Sequence, residues 1–363
     1  MNGKGSKEEN YQKTVEETAA VCCTFLREME DIQESLCLFD LKPAQERVAK
    51  KFGKVFKNLE KELSSLIPPA NRTVFHECFS LGVVHLREAC QAFTQTEGSS
   101  QLLPRILQSF HQLFQAQYAF YDLRKELNSF REHWLLEETL PMLEQLETPA
   151  IGNKQPTGFL HRPAERKRGE YSLYVPENYD ASWEWPLIVC LHGGMGRGGD
   201  YIWTWLRPAK SKGYFLLSPK SLGPTWSLIG EDYDRESVLA MMGEVRSQYR
   251  IDNRKILLTG LSDGGSYGLT LGLNHPEHFS GLASIAGVLQ TDADPQQVGN
   301  LSILIVHGRQ DYIFPVGMAR TAYAHLQQQG LRVTYQELPD WGHAFPYTIH
   351  ARIVLPWFEE KIR

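Results

Sequence analysis

The sequence predicts an α/β protein in which a mostly parallel, doubly wound sheet is preceded by an all-α helical bundle. Up to about residue 147, apolar residues recur every three or four positions, which is the period of an amphipathic helix. From about residue 169 onwards, short continuous apolar runs alternate with segments of helical length. Continuous apolar strands are typical of a parallel sheet that is covered on both faces, so the two parts are predicted to be separate domains.

The helical part, predicted to span residues 1–150, is interrupted by proline and glycine. Breaks fall at Lys42–Pro43, Pro68–Pro69 and Gly98–Ser100, where helix ends are expected. Four or five antiparallel helices in a bundle are the simplest packing of these segments. Their amphipathic surfaces suit self-association, a protein partner or a lid over a pocket, and periodicity alone does not choose among these roles.

Residues 151–168 are predicted to be a linker, because the helical period lapses there into proline, glycine and the charged run Glu165–Arg168. The domain that carries the sheet is predicted to span residues 169–363. Its strands are expected at five apolar runs, namely 187–191, 214–217, 256–258, 282–286 and 303–306.

Composition argues against several classes of function. The net charge of −5 over 363 residues argues against a nucleic-acid-binding protein. The first ten residues contain no apolar segment of the signal-peptide type, and no run reaches the roughly 18 apolar residues of a membrane span. A cytoplasmic location without an integral membrane segment is therefore expected. The six cysteines show neither disulfide-framework nor metal-site spacing, so they are expected to be reduced and no metal site is predicted.

The stretch from Ile256 to Gly265 carries the most chemical information. An apolar strand leads into Gly260-Leu261-Ser262-Asp263-Gly264 and then into a helical pattern, which is typical of a nucleophile elbow. The glycines are required because strand and helix nearly touch at such a turn, while the serine is left exposed in a strained conformation. Ser262 is therefore the candidate nucleophile.

Two further residues complete a candidate catalytic triad. A serine hydroxyl is a poor nucleophile at neutral pH and needs a histidine base and a carboxylate that orients the histidine. Asp311 follows the apolar run 303–306, and His343 follows a further predicted strand at residues 333–338. Loops at the carboxyl ends of parallel strands meet at one edge of the sheet, so Ser262, Asp311 and His343 are predicted to come together. Asp340 is the nearest competing carboxylate.

The order Ser, Asp, His and the placement of each residue after a strand resemble the α/β-hydrolase superfamily over about residues 170–363. The stretches His-Gly-x-x-Asp-x-x-x-Pro from residue 307 and Gly-His-x-Phe from residue 342 are similar to those of dienelactone hydrolase and polyhydroxybutyrate depolymerase-like esterases. They are also similar to the catalytic domain of prolyl-oligopeptidase-type peptidases. The resemblance implies a serine esterase that cleaves a small-molecule carboxylic ester through an acyl-enzyme and needs no cofactor.

Two backbone donors for the tetrahedral oxyanion are predicted as well. In a nucleophile elbow, one donor is the amide of the residue after the serine, which is Asp263 here. By resemblance, the other is the amide of Gly194 in the glycine-rich loop after the 187–191 run, with Met195 as the next choice. A carboxylate beside the nucleophile opposes a developing oxyanion, so the side chain of Asp263 is expected to turn toward the N-terminus of the following helix.

Two alternatives remain open beside a carboxylic ester hydrolase. The same triad suits a serine peptidase or a thioesterase, although the helical first part lacks the strand-rich repeats of a gating propeller. A binding or scaffold protein could also keep the fold without catalysis. His192 and His307 are expected to be structural. Four tryptophans suit either the pocket or the core, namely Trp203, Trp205, Trp226 and Trp341.

Overall fold

The chain consists of two compact units, Met1–Trp134 and Leu135–Arg363. The structure is a computed structural model, and it describes residues 2–37, 40–95, 102–165, 168–290 and 294–363.

The secondary-structure elements described in the first unit are all helices. Its helices are α1 (Asn2–Glu34), α2 (Lys42–Phe52), α3 (Val55–Ser65), α4 (Thr73–Thr94), α5 (Leu102–Tyr121) and α6 (Asn128–His133). Aromatic residues on the inner faces form its core. Phe25 of α1 contacts Phe52 and Phe56 edge-on, with ring centroids 4.9 Å and 4.8 Å apart, which brings the first three helices together.

The second unit is built on an eight-stranded sheet in the order β1-β2-β4-β3-β5-β6-β7-β8. The strands are β1 (Gly158–Arg162), β2 (Tyr171–Val175), β3 (Trp185–Leu191), β4 (Phe215–Pro219), β5 (Ile251–Leu261), β6 (Gly281–Ile285), β7 (Ser302–Gly308) and β8 (Arg332–Leu338). β2 pairs antiparallel with β1 and β4, and every other pair is parallel. The predicted fold class, a mostly parallel sheet after a helical part, is confirmed.

Helices accompany the strands of this sheet along the chain. They are α7 (Leu143–Glu147), α8 (Gly198–Lys212), α9 (Asp234–Gln248), α10 (Asp263–Asn274), α11 (Pro295–Val298), α12 (Val316–Gln328), α13 (Tyr347–Ile349) and α14 (Leu355–Lys361). β4 and β6 are buried at every residue, which explains why they were recognisable as continuous apolar runs. Within the described ranges, no helix has both the length and the apolar character of a membrane span.

The division between the units falls earlier than residue 150, where the sequence placed it. The residues after 134 are joined to the second unit by buried polar contacts with α8. Lys210 Nζ lies 2.8 Å from Glu147 and 2.6 Å from Glu177, and all three side chains are almost fully buried. Thr139 donates a hydrogen bond to Ser211 at 3.0 Å. These partners are distant in sequence, so helical periodicity carried no sign of them.

The structure also differs from the sequence expectation at the linker predicted for 151–168. β1 lies within that segment and pairs with β2 in a register that runs from Gly158↔Val175 to Arg162↔Tyr171. Because β1 is an edge strand whose residues are mostly half-buried, it lacks the apolar run that marked the other strands. Two predicted features, residues 166–167 of the charged run and the helix break at 98–100, lie outside the described residues.

Candidate active site

The turn after β5 holds the candidate nucleophile in a strained backbone conformation. Ser262 has φ 57° and ψ −121°, outside the regions that residues with a side chain normally occupy. A Cβ on Gly260 would overlap the carbonyl of Gly264, and one on Gly264 would overlap the carbonyls of Leu191 and His192. Only glycine fits at these two positions, and the chain turns from β5 into α10 between them.

Backbone hydrogen bonds hold the serine in this conformation. The amide of Ser262 donates to the carbonyl of Ile285 at the end of β6, at 2.9 Å. The carbonyl of Ser262 accepts from the amide of Ser266 in the first turn of α10, also at 2.9 Å. The strain is therefore maintained by the sheet and the helix rather than by contacts of the serine side chain.

The structure brings the three predicted triad residues together. His343 Nε2 lies 2.8 Å from Ser262 Oγ, and His343 Nδ1 lies 2.8 Å from Asp311 Oδ2. An ionised carboxylate only accepts hydrogen bonds, so His343 donates from Nδ1 and keeps Nε2 to accept the serine proton. Asp340, the competing carboxylate, is exposed, and no contact joins it to His343 in the described part of the chain.

Four groups surround the carboxylate of Asp311. Its Oδ1 accepts from the amides of Ile313 at 2.9 Å and Phe314 at 2.8 Å. Its Oδ2 accepts from His343, and His307 Nε2 lies 3.3 Å from the same oxygen. Burial alone would raise the pKa of Asp311, but the hydrogen bonds from His307 and His343 outweigh burial and hold that pKa well below its usual value. Asp311 is therefore ionised at neutral pH and able to orient His343.

His192 begins the loop of residues 192–196, which we call the glycine loop. Its Nδ1 donates to the carbonyl of Gly193 at 2.7 Å, and its Nε2 accepts from the amide of Ser221 at 3.2 Å. Burial lowers the pKa of His192 to about 4, so the ring is neutral at physiological pH. With both nitrogens engaged by backbone, His192 supports the loop, as the sequence led us to expect.

The glycine loop contains the two residues considered for the second oxyanion donor. The amide of Met195 donates to the carbonyl of Pro224 at 2.9 Å, so it is already paired. We therefore remove Met195 from the candidate donors; its partner is distant in sequence and left no local signal. The amides of Gly194 and Asp263 have no acceptor within the described residues, and they remain the candidate pair.

The side chain of Asp263 has a partner that the sequence did not predict. Thr225 Oγ1 donates to Asp263 Oδ2 at 2.6 Å. The same carboxylate oxygen lies against Gly194, where a Cβ would come within 2.5 Å of it. Asp263 is also in the first turn of α10, where the helix dipole favours a negative charge.

The four tryptophans for which both a pocket and a core role were open are all buried, namely Trp203, Trp205, Trp226 and Trp341. Trp226 lies next to the glycine loop. It stacks on Tyr267 with ring centroids 5.2 Å apart, and its Nε1 donates to the carbonyl of His192 at 2.7 Å. Trp226 therefore acts as a packing residue beneath the site.

An open cavity of about 580 Å³ lies between the segment after β6 and helix α12. One of its lining residues, Val288, donates its amide to Ser266 Oγ at 2.8 Å, one helical turn after Ser262. This contact joins the cavity wall to α10, and none of the three triad residues lines the cavity. Within the ranges described, no cluster of three or more His, Cys, Asp or Glu side chains is arranged to hold a metal ion. All six cysteines are free thiols.

Comparison with known proteins finds relatives of this chain. Residues 235–353 match the phospholipase/carboxylesterase family. The protein named "Probable feruloyl esterase C" of Aspergillus niger is 29% identical over 184 residues, which are 48% of this chain and 66% of that protein. Poly(3-hydroxybutyrate) depolymerase of Ralstonia pickettii is 30% identical over 121 residues, which are 28% of this chain and 25% of that protein. Both matches span less than two thirds of the relative.

Among solved structures, a thermostable esterase shares 22% identity and superposes with a TM-score of 0.46, covering 56% of this chain and 62% of that chain. The sequence relatives and the family match confirm the predicted resemblance to esterases. The roles of Ser262, Asp311 and His343 stay predictions, supported by their geometry.

Proposed function

We propose that this chain, whose second unit has the α/β-hydrolase fold and esterase relatives, is a carboxylic ester hydrolase that acts through an acyl-enzyme on Ser262. His343 serves as general base and then as general acid, and Asp311 orients it. The amides of Gly194 and Asp263 bind the oxyanion. The substrate is a small-molecule ester, and the proposed steps use only side chains, backbone amides and water.

The observation that carries this proposal is the hydrogen-bonded series from Ser262 through His343 to Asp311. Both links measure 2.8 Å, and the serine sits on a strained turn at the carboxyl edge of the sheet. Strained backbone conformations persist where the surrounding structure imposes them, and they concentrate at functional sites.

In the first half-reaction, Ser262 Oγ attacks the carbonyl carbon of the ester while its proton passes to His343 Nε2. The carbonyl oxygen becomes an oxyanion that accepts hydrogen bonds from the two backbone amides, each of which contributes about 3 to 4 kcal/mol in comparable sites. The tetrahedral intermediate then breaks its bond to the alcohol oxygen. That oxygen takes the proton from His343 Nε2 and leaves as the alcohol, so the acyl group remains on Ser262.

The second half-reaction repeats these steps with water. His343 Nε2 takes a proton from the water as its oxygen attacks the acyl carbon, and the same two amides hold the oxyanion. The bond to Ser262 Oγ then breaks, the serine recovers its proton from His343, and the carboxylic acid is released. In both halves the negative charge of Asp311 stabilises the imidazolium that forms on His343.

Fluorophosphonate labelling and ester hydrolysis by the full-length chain test the proposal. We expect the wild type to react with the probe and to hydrolyse p-nitrophenyl esters, and Ser262→Ala to lose both properties. Ser247→Ala is the matched control, because Ser247 is exposed on α9 and its hydroxyl donates to the carbonyl of Glu244. A wild type that neither reacts nor hydrolyses esters would favour the non-catalytic scaffold alternative.

The same assay separates the alternative electrophiles. A matched series with one acyl group presented as an ester, a thioester and an amide measures kcat/KM for each. We expect the ester to be preferred over the amide, and a preference for the amide would favour the peptidase alternative. A preference for the thioester would favour a thioesterase with the same triad.

A further inference from the structure

We infer that Thr225 is a positioning residue of the proposed esterase site, because its hydroxyl holds the Asp263 carboxylate and thereby the two amides that receive the oxyanion. The inference rests on the proposed function and extends it to a residue outside the triad. Two contacts carry it: the hydrogen bond from Thr225 Oγ1 to Asp263 Oδ2 at 2.6 Å, and the packing of that oxygen against Gly194.

Thr225 belongs to a segment, residues 221–227, that follows β4. The buried carboxylate of Asp234, at the start of α9, accepts hydrogen bonds from this segment on both sides of Thr225. Its Oδ1 accepts from the amide of Leu222 at 2.7 Å, and its Oδ2 accepts from the amide of Ser227 at 2.8 Å. These two hydrogen bonds hold the segment on both sides of Thr225. The Thr225 hydroxyl is therefore held in place and can position another group.

Three hydrogen bonds join the segment 221–227 to the glycine loop. The amide of Ser221 and the indole of Trp226 donate to His192, at 3.2 Å and 2.7 Å. The carbonyl of Pro224 accepts from the amide of Met195 at 2.9 Å. These bonds fix the loop that carries the Gly194 amide.

A further hydrogen bond, from Thr225 to Asp263, joins the same segment to the first residue of α10. It is therefore the link between the two elements that each supply one oxyanion donor. The Asp263 carboxylate occupies the space that a side chain on Gly194 would need, so its position and the position of the Gly194 backbone depend on each other. Fixing one carboxylate oxygen fixes both amides relative to the serine.

The charge of Asp263 gives this link a second effect. A negative charge beside the nucleophile opposes the developing oxyanion, most strongly in a site of low effective dielectric constant. No cation forms an ion pair with Asp263 in the described ranges, so the Thr225 hydroxyl is the side-chain donor that satisfies it. Without that donor, the carboxylate would be free to rotate toward the oxyanion.

Replacement of Thr225 by valine removes the hydroxyl and keeps the side-chain volume. Because the two amides bind the oxyanion in the transition state and not the ester in the ground state, we expect kcat to fall by about 10-fold to 100-fold with KM changed by less than about 2-fold. Binding of a trifluoromethyl ketone, which forms a tetrahedral adduct with the serine, should weaken in parallel with kcat/KM. Thr225→Ser, which keeps the hydroxyl, should recover most of the lost activity.

A double-mutant cycle tests whether Thr225 acts through Asp263. Thr225→Val and Asp263→Ala each remove the same hydrogen bond, so the double variant should be no slower than Asp263→Ala alone, within about 2-fold. Asp263→Asn keeps an oxygen that can accept from Thr225, so its loss should be smaller than that of Asp263→Ala. Losses that multiply in the double variant would overturn the inference.

Thr270→Val is the matched control, since Thr270 lies farther along α10 and its hydroxyl contacts the carbonyl of Ser266. We expect wild-type activity and an unchanged thermal midpoint from this control. Thr225→Ala is measured beside Thr225→Val and should give the same loss, so poor folding of one variant does not decide the outcome. An active wild type with unaffected Thr225→Val and Thr225→Ala overturns the inference alone, whereas an inactive wild type overturns the proposed function as well.

Discussion

His307 lies 3.3 Å from Asp311, measured from Nε2 to Oδ2, and this is the same carboxylate oxygen that accepts from His343. His307 is fully buried, and its Nε2 also lies 2.7 Å from the carbonyl of Phe314. Since a carbonyl and a carboxylate both accept hydrogen bonds, the single Nε2 hydrogen of His307 is shared between them, with the shorter contact to Phe314 and the longer one to Asp311. His307 thereby holds the loop that carries Asp311 in the conformation that faces His343.

Removal of this donor should impair the proposed catalysis. A hydrogen bond to a charged group contributes about 1.5 to 3 kcal/mol, so we expect His307→Leu to lower kcat/KM by about 10-fold to 100-fold. His307→Gln keeps an N–H donor of similar reach and should recover part of that loss. Both are measured on a p-nitrophenyl ester, and full activity in His307→Leu would show that Asp311 is held without this contact.

The depressed pKa of Asp311 predicts a specific dependence of stability on acid. Because the pKa is lower in the folded than in the unfolded chain, ionised Asp311 contributes stability that is present above about pH 4 and is lost as the pH falls through the folded-state value. In urea titrations at falling pH, Asp311→Asn should therefore lose less free energy of unfolding than the wild type below about pH 4. Asp340→Asn is the control, and it should follow the wild type; equal slopes for Asp311→Asn and the wild type would contradict the prediction.

The contact between Gly194 and Asp263 predicts that a side chain at residue 194 displaces the Asp263 carboxylate or the glycine loop. In Gly194→Ala the new Cβ would lie 2.5 Å from Asp263 Oδ2, so the carboxylate or the loop must shift. We expect kcat to fall by about 100-fold, which is the effect of losing one oxyanion donor. Gly243→Ala on α9 is the control, because a Cβ there meets nothing within 4 Å. It should keep full activity, and an equally active Gly194→Ala would contradict the prediction that a side chain at residue 194 disturbs the site.

The strain at Ser262 should be measurable as stability. Glycine accepts φ 57° and ψ −121° with little strain, whereas alanine does not. Both Ser262→Gly and Ser262→Ala should be inactive, yet the glycine variant should be more stable than the alanine variant by about 1 kcal/mol, after its larger entropy loss on folding is included. Urea unfolding of the two variants compares them, and a more stable alanine variant would show that the turn is not strained.

Much of the fold and the candidate site could be predicted because both depend on local patterns. β4 and β6 are buried on both faces, which leaves continuous apolar runs in the sequence. Ser262, Asp311 and His343 each follow a strand, and parallel strands bring their carboxyl ends to one edge. Order along the chain was therefore enough to predict which residues would meet.

The remaining features depend on contacts between distant segments. The carbonyl of Pro224 accepts from the amide of Met195, and the hydroxyl of Thr225 donates to the carboxylate of Asp263. Nothing in the local sequence marks either partner. The boundary between the units lies earlier than predicted for the same reason, a contact between distant segments. Lys210 of α8 binds Glu147 of α7. β1 was not predicted because it is an edge strand whose residues are mostly half-buried, so it lacks a continuous apolar run.

The central claim is that Ser262 becomes acylated during turnover, and trapping of that intermediate tests it most directly. The full-length chain is mixed with excess p-nitrophenyl acetate, quenched in acid at successive early times, digested and analysed by tandem mass spectrometry. We expect one acetyl group per chain, located on Ser262, that forms together with the first release of nitrophenolate and is absent from Ser262→Ala. Turnover with the acetyl group on another residue, or turnover that survives in Ser262→Ala, would contradict the account.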